Sequence, residues 1–334
     1  YEPLVQSGVE VQPLRPVEAF FTLTPSIELK ETVSISARAD APLEQTSPPP
    51  VELRPTQVKS LPSRPASVAD ALPLVPGVAR EPNGGIVIAG NGEHRSALVV
   101  NAVDVTDPAT GQFGLTIPVD SAEAIDVLKS PYLAQYGRFT SGVVSVETKR
   151  GGEKWNFELN DPLPEFRIRS LRLRGLKEFV PRVVLNGPLI PGRLYFSEGF
   201  EYAMRKEAVR TLPFPQNETK RESLNSFTQL DYIASPTHTL TETFHFAPHH
   251  VNYVNLNFFN PQPVTPSFRA RDWTNTLIDR LTLGSHLLET IVAVKRSASG
   301  VWGQGNAEMV LTPTGNRGHY FGTQRRRSSR IEWL

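Results

Sequence analysis

Five carboxylates, Asp104, Asp107, Asp120, Glu123 and Asp126, stand close together in this chain. Two converging carboxylates with separated pKa values could carry out acid–base chemistry. Asp120 and Glu123 are better explained as favourable charge in the first turn of a short helix. His245, His249 and His250, with His238 nearby, form a histidine cluster. A metal site wants a carboxylate and a rigid spacing. Phe246-Ala247-Pro248-His249-His250 reads instead as a strand end and a loop, so no metal is assigned. The Gly90-Asn91-Gly92 stretch lacks the Lys-Ser/Thr and the helix of a phosphate-binding loop. There is no G-x-S-x-G, H-E-x-x-H or P-loop pattern, and neither an enzyme nor a cofactor is expected.

The 334 residues allow two or three domains. Lys plus Arg number 35 and Asp plus Glu 34, so no global field points to nucleic acid or to acidic ligands. The absence of cysteine excludes a disulfide framework or a Cys-based zinc site and suits an oxidising envelope compartment. The chain contains 30 prolines, clustered in the stretch from Pro42 to Pro65. That clustering predicts an extended tether over 38–64. No run of about 18 apolar residues is present, so no transmembrane helix is expected. A mean hydropathy of −0.27 does not argue against membrane strands, which alternate apolar and polar residues. No signal peptide is visible, and the chain reads as a piece cut from a longer one.

Alternation predicts strands over 1–37. Ser67-Val68-Ala69-Asp70 has capping-box spacing and predicts a helix through Leu74, stopped by Pro76-Gly77. Strands over 85–89 and 97–100 are expected to form a hairpin across Gly90 to Arg95. A polar loop is expected over 106–114. After Gly152 the texture changes to long alternating strands. In the clearest of these, Leu194, Phe196, Phe200, Tyr202 and Met204 share one parity, interrupted by Glu198. Tyr195, Ser197, Gly199, Glu201, Ala203 and Arg205 share the other. An apolar band opposite a polar one is what a lipid-facing barrel strand requires.

Further strands are expected over 226–233, 239–246, 273–283 and 287–296, with 309–311 near 320–321, making roughly eight or nine after Gly152. Short turns are expected at 235–238 and 284–286 and a long loop over 247–272. Alternate arginines of Arg325-Arg326-Arg327-Ser328-Ser329-Arg330 would then face a polar lumen, and the others a lipid-headgroup zone. That reading leaves no role for nucleic acid. Tyr253, Phe258, Phe259, Trp273 and Trp302 fit an interfacial aromatic girdle, with ligand stacking from an outer loop as the alternative.

The stretch Ile125-Asp126-Val127-Leu128-Lys129-Ser130-Pro131, then Tyr136-Gly137-Arg138, then Ser141-Gly142-Val143-Val144-Ser145-Val146-Glu147-Thr148-Lys149 carries a resemblance. It resembles the end of the plug domain of TonB-dependent outer-membrane receptors, running into their β-barrel. Ala71-Leu72-Pro73-Leu74-Val75-Pro76-Gly77-Val78 is similar to the opening of such plugs, and residues 186–196 to an early barrel hairpin. Ala89-Gly90 and Asn101-Ala102 depart from the family's usual Arg-Gly and Asp-Gly.

The resemblance implies a mainly β chain. A small α/β plug domain over 65–152 would precede antiparallel strands of an incomplete transmembrane β-barrel over 153–334. Residues 1–37 resemble the end of a carboxypeptidase-regulatory-like domain. A complete barrel of about 22 strands, each ~9–11 residues long, needs more chain than follows Gly152. Glu31, Thr32, Val33, Ser34, Ile35, Ser36 and Ala37 look like a TonB box, which would add a strand to the edge of its partner's sheet. The implied setting is the bacterial outer membrane, with the N-terminal segment in the periplasm. The implied partners are the TonB energy-coupling protein, outer-membrane lipid and a small-molecule, oligosaccharide or peptide ligand. By position, plug loops would present Asn83, Asn91, Glu93, His94, Arg95, Asp107 and Phe113 to that ligand. The rival reading is a non-transporting β-rich envelope interaction protein.

Overall fold

The structure, a computed structural model, describes residues 50–59, 61, 65–81, 85–113, 117–129, 139, 141–169 and 171–334. The TonB-box-like segment 31–37, Asn83, the Tyr136-Gly137 turn and the strands expected over 1–37 lie outside the described residues.

Part of the stretch expected to be a tether is ordered. β1 (Val51–Leu53) pairs with β7 (Ala122–Leu128), and helix α1 (Pro55–Lys59) follows directly. Proline is compatible with the first turn of a helix, where its missing N–H has no partner to lose, so proline content alone misleads here. Helix α2 (Val68–Ala71) starts where the capping spacing places it, with Ser67 Oγ accepting from the Asp70 N–H at 3.2 Å. A 3-10 turn continues it over Leu72–Leu74.

One small sheet joins β2 (Val78–Arg80), β3 (Ile86–Ile88) and β4 (Asn91–Gly92). A second has the order β1-β7-β8-β5-β6, where β5 is Ala97–Val100, β6 Val103–Asp104 and β8 Val143–Thr148. The expected hairpin between 85–89 and 97–100 does not form. β3 turns instead through Ala89 and Gly90, both at positive φ, into β4. A 3-10 turn over Glu93–Arg95 then carries the chain to β5, which lies parallel to β8. The physical reason is that all four β5 residues are buried, and a strand apolar on both faces belongs inside a sheet rather than in an exposed hairpin.

The turn after β5 uses Asn101 at φ +46° and Ala102 at φ +70°. Alanine in this left-handed region costs about 1 kcal/mol. Ala102→Gly is therefore expected to stabilise the plug by about 1 kcal/mol, read as a raised chemical-denaturation midpoint with an unchanged slope.

The plug core gathers Val68, Leu72, Ile86, Ile88, Leu98, Ile117, Ile125 and Val146, each at most 2 % exposed. The acidic helix expected near residue 120 is a single 3-10 turn over Val119–Ser121.

Residues after Gly152 form one open antiparallel sheet of ten strand segments. They are β9 (Asn156–Asn160), β10 (Glu165–Arg169), β11 (Arg172–Phe179), β12 (Arg182–Ile190), β13 (Leu194–Ala208) and β14 (Glu218–Ser235). β15 (His238–Asn252), β16 (Ser267–Leu283), β17 (His286–Trp302) and β18 (Gln324–Trp333) complete it. β10 pairs with β11 beyond the point where β9 pairs with β12, and both β11 and β12 pair with β13. The ten segments thus follow eight strand paths. Pro162, Pro164 and Pro181 sit at the two interruptions, where proline's missing N–H would break a ladder.

Two expectations about loops change. β15 and β16 are longer than their apolar alternation suggests, so the loop between them spans only 253–266, and His249 and His250 pair within the ladder. Residues 309–311 and 320–321 are not strands. They lie in the connection between β17 and β18, where only an isolated Val310–Arg317 bridge forms, and Pro313, Gly315, Gly318 and Gly322 interrupt the chain. Among the described residues no helix is long and apolar enough to cross a membrane.

The two parities of β13 go where the alternation predicts from Leu194 to Ala203, but Met204, expected on the exposed apolar parity, is buried at 6 % exposure. Tyr195, Ser197, Gly199, Glu201 and Ala203 are buried on the face covered by the plug, while Leu194, Phe196, Phe200 and Tyr202 stay partly exposed on the other. The polar face is inside and the apolar face outside, the reverse of a water-soluble sheet. Short turns join β12 to β13, β14 to β15 and β16 to β17 at one end; the connections at the other end are longer.

Candidate functional site: the plug against the inner wall

Asp120 is the most buried charged group of the interface. It lies in the 3-10 turn that leads into β7 and is 0 % exposed. Lys59 Nζ of α1 lies 2.9 Å from Oδ1 and Arg182 Nε of β12 lies 3.1 Å from Oδ2. Helix-terminal charge therefore does not explain this residue; two ion pairs do. Lys59 also donates to Glu158 of β9 at 2.8 Å. Arg182 donates to Asp161 at 2.8 Å and to the Pro65 carbonyl at 2.7 Å. Burial works against the charge on Lys59, but its Glu158 hydrogen bond and the adjoining Asp120 carboxylate outweigh it and hold its pKa above the ordinary value. Plug helix, plug turn and wall strands thus share one charge network.

Three further ion pairs cross the interface. Asp70 of α2 pairs with Arg80 of the plug at 3.0 Å and with Arg205 of β13 at 3.5 Å. On the far wall, Asp107 accepts from Arg326 at 2.6 Å and from Ser328 Oγ at 3.1 Å. Arg330 donates to Asp104 at 3.0 Å, and Lys295 donates to the Val105 carbonyl. Apolar contact is confined to smaller patches: Val103 on Ile278, Ile291 and Ala293, and Phe227 and Ala247 against the plug core. An interface of this kind is held by groups that water can satisfy once separated, in contrast with a continuous apolar core.

The Asp107 bridge carries a pH dependence. Burial opposes the carboxylate's charge, but the Thr110 hydroxyl, the Ala109 N–H and Arg326 together lower its pKa below the ordinary 3.8. A depressed folded pKa gives stabilisation that is present above the ordinary value and is lost as pH falls through the folded value. Protection of the 104–113 amides against hydrogen exchange is therefore expected to hold at pH 5 and above and to fall away below about pH 4. Asp107→Asn should remove that acid step.

The remaining sequence-selected residues fall into distinct places. Gly151, just after β8, packs against Phe196 near the short-turn end of the sheet. β5 runs parallel to β8, so the Glu93–Arg95 turn that precedes it lies toward the long-loop end. His94 and Arg95 are exposed there and Asn91 half-buried. Glu93 is structural: it accepts from the Ile86 N–H at 2.7 Å and the Phe113 N–H at 3.1 Å. Asp107 faces the wall rather than open space, and Phe113 is 9 % exposed. Phe113 also lines a cavity of about 280 Å³ with Arg80, Glu201, Arg205, Arg221 and His249. A neighbouring cavity of about 500 Å³ shares Arg221 and His249 and reaches Asn255 and Phe268 toward the long-loop end.

The histidines do not converge. His245 is buried with a ring nitrogen 2.7 Å from Asn225 Oδ1, His249 lies beside Phe268, and His250 stacks on Trp302. Among the described residues no group of three or more potential ligands could hold a metal. Sequence reasoning missed Lys59, Arg182, Glu158 and Asp161. The available signal was weak: Arg182 is the one charge in an otherwise uncharged β12.

A small mixed domain is packed by charge pairs onto the polar face of an open antiparallel sheet whose outer face is apolar. Residues 54–144 match the family model described as TonB-dependent Receptor Plug Domain, so the chain carries such a plug followed by strands of the receptor barrel type. It is 24% identical over 155 residues to the TonB-dependent transporter Oar of Myxococcus xanthus, covering 42% of this chain and 14% of that protein. It resembles the siderophore receptor PirA from Acinetobacter baumannii with a TM-score of 0.62 at 15% identity, covering 86% of this chain and 45% of that one. The outer membrane transporter YddB from Escherichia coli gives 0.59 at 14% identity, over 86% and 47%. The ferric enterobactin receptor PfeA from Pseudomonas aeruginosa gives 0.59 at 16% identity, over 86% and 46%. The chain thus spans about half the length of these solved structures and a smaller share of the curated relative.

Proposed function

We propose that this chain is the plug and first barrel strands of an energy-coupled outer-membrane receptor that imports a ligand too large for porins. The observation that carries the reading is the inside-out sheet with the plug bound to its polar face through Asp70, Asp104, Asp107 and Asp120. A plug held this way occludes the lumen and can be released without exposing a large apolar core. The ligand enters from the long-loop end, against Asn91, His94, Arg95 and the cavity beneath Arg221 and His249. The segment Glu31 to Ala37 contacts TonB in the periplasm by strand addition, which needs its backbone donors. No bond is made or broken. The rival reading, a non-transporting interaction module, gives no reason for an apolar outer face.

The test uses the full-length protein in cells offered labelled ferric chelates, cobalamin, oligosaccharides and peptides. One class is expected to accumulate. Accumulation should stop with a proton uncoupler and with the double substitution Val33→Pro, Ile35→Pro, since proline removes the N–H groups that strand addition uses. Accumulation that ignores both treatments would refute energy coupling, and binding without accumulation would favour the rival.

A further inference from the structure

Glu201 is a buried carboxylate without a partner. It sits on the plug-facing side of β13 at 4 % exposure, and its Oε2 takes part in no hydrogen bond. It joins no ion pair among the described residues, although arginines beside it do. A charge buried in this way raises the free energy of the seated plug. Two arginines stand close enough to relieve it. The β12–β13 ladder sets Arg182 directly opposite Glu201, where cross-strand Cβ atoms lie about 5 Å apart. Arg205 follows four residues later on the same face of β13.

Both arginines are turned elsewhere while the plug is seated. Arg182 is drawn to Asp120 of the plug at 3.1 Å, to the plug's Pro65 carbonyl at 2.7 Å and to Asp161 of the wall at 2.8 Å. Arg205 is shared between Asp70 of the plug at 3.5 Å and Glu178 of the wall at 2.7 Å. Each arginine therefore holds one carboxylate that belongs to the plug and one that belongs to the wall. Separation of plug from wall takes two acceptors from Arg182, Asp120 and the Pro65 carbonyl, and one from Arg205. Nε and one terminal nitrogen of Arg182 are then released beside a carboxylate that has none.

We propose that Glu201 is the second acceptor of Arg182. On release of the turn that holds Asp120, the guanidinium swings across the ladder and pairs with Glu201. The seated state carries an unpaired carboxylate and the released state does not, so the exchange lowers the cost of opening the lumen. Arginine suits this role because its five donors form a fork. One terminal nitrogen keeps Asp161 while Nε and the other nitrogen change partner. Glu201 is thus a positioning residue that acts through Arg182. The proposal rests on the reading that the plug leaves the wall during import.

Hydration of Glu201 in an open lumen would also relieve its burial. Exchange is told apart by removing Asp120 with the plug still in place. Calorimetry of the full-length protein compares the parent with Glu201→Gln, Asp120→Ala and the double variant. Glutamine keeps the shape and removes the buried charge, so Glu201→Gln alone is expected to raise the plug transition by about 4 °C. In the Asp120→Ala background Arg182 has turned to Glu201, and the same substitution should lower the transition by about as much. That reversal of sign is the signature of exchange through a shared partner. A carboxylate that is only buried, or only repelled by Asp120, raises the transition in both backgrounds or leaves the second unchanged. Either result overturns the proposal.

The second readout is opening. In planar bilayers the full-length parent is expected to be sealed without urea and to conduct as urea loosens the plug. At the urea concentration that half-opens the parent, Glu201→Gln should lower the ratio of open to sealed channels about tenfold. An unchanged ratio refutes a role in opening. A parent that conducts at no urea concentration refutes the plugged-pore reading, and the inference falls with it. A parent that opens while the calorimetric effects add without a change of sign refutes the inference alone.

Discussion

Asp120→Ala is expected to destabilise the seated plug by about 3 kcal/mol. The substitution leaves Lys59 and Arg182 facing a space that had held their shared counter-charge, and Arg182 is only 4 % exposed. Removing one partner of a buried pair costs on the order of 3–5 kcal/mol because the surviving charge stays desolvated. The lower end applies because Lys59 keeps Glu158 and Arg182 keeps Asp161. Asp120→Asn keeps the shape but not the charge and should cost less. Calorimetry of the full-length protein should show an earlier plug transition with the barrel transition unmoved. In planar bilayers the alanine variant should pass more current than the parent, because a loosened plug leaks. An unchanged transition and a silent bilayer would mean that Asp120 is not a fastening point.

Much of the fold was legible because its signals are local. The Ser67 cap, the Pro76-Gly77 stop and the β7–β8 pair depend on residues near one another, and the structure shows the cap and the pair. The parity of β13 was readable because alternation sends successive side chains to opposite faces of a strand, whatever its neighbours. Other features depended on distant partners. Leu98 and Val100 read equally well as half a hairpin or as an internal strand, and only the parallel contact with β8, itself more than forty residues later, decides it. Two strand interruptions at Pro162, Pro164 and Pro181 altered the number of segments but not the number of paths.

The candidate site divides in the same way. Asp104, Asp107 and Asp120 stood out as a local cluster, and the arginine run stood out as a local charge block. That the two belong together is a statement about residues over two hundred positions apart, which no spacing rule contains. Asp120 was assigned to a helix end because its neighbours suggested one; its true partners, Lys59 and Arg182, come from either side in sequence. Histidines suffered the opposite error. Proximity in sequence grouped His245, His249 and His250, while alternation along β15 points His245 and His249 inward and His250 outward.

The largest functional effect is expected from a covalent bond between plug and wall. Gly199 of β13 faces Ser121 of the plug, and a Cβ built at Gly199 would lie 3.0 Å from Ser121 Cβ. A disulfide needs a Cβ separation of about 3.8 Å, an opening of under ~1 Å that a side-chain contact can give. The chain has no cysteine of its own, so Ser121→Cys with Gly199→Cys introduces a single pair here. Oxidation should form the bond and add about 4 kcal/mol to the fastening of the plug, the loop-closure value for a span of this length.

If import requires the turn holding Ser121 to leave β13, uptake in oxidised cells should fall to the level seen with an uncoupler. Reductant should restore it, while ligand binding at the outer end stays unchanged. The outcome discriminates between two ways of opening the lumen. Complete cross-linking with undiminished uptake would show that this turn never moves, and that the path opens where Asp104 and Asp107 meet Arg330 and Arg326. The same double substitution in the reduced state provides the internal control. It separates loss of the glycine's close approach from loss of movement, because the first persists without the bond and the second does not.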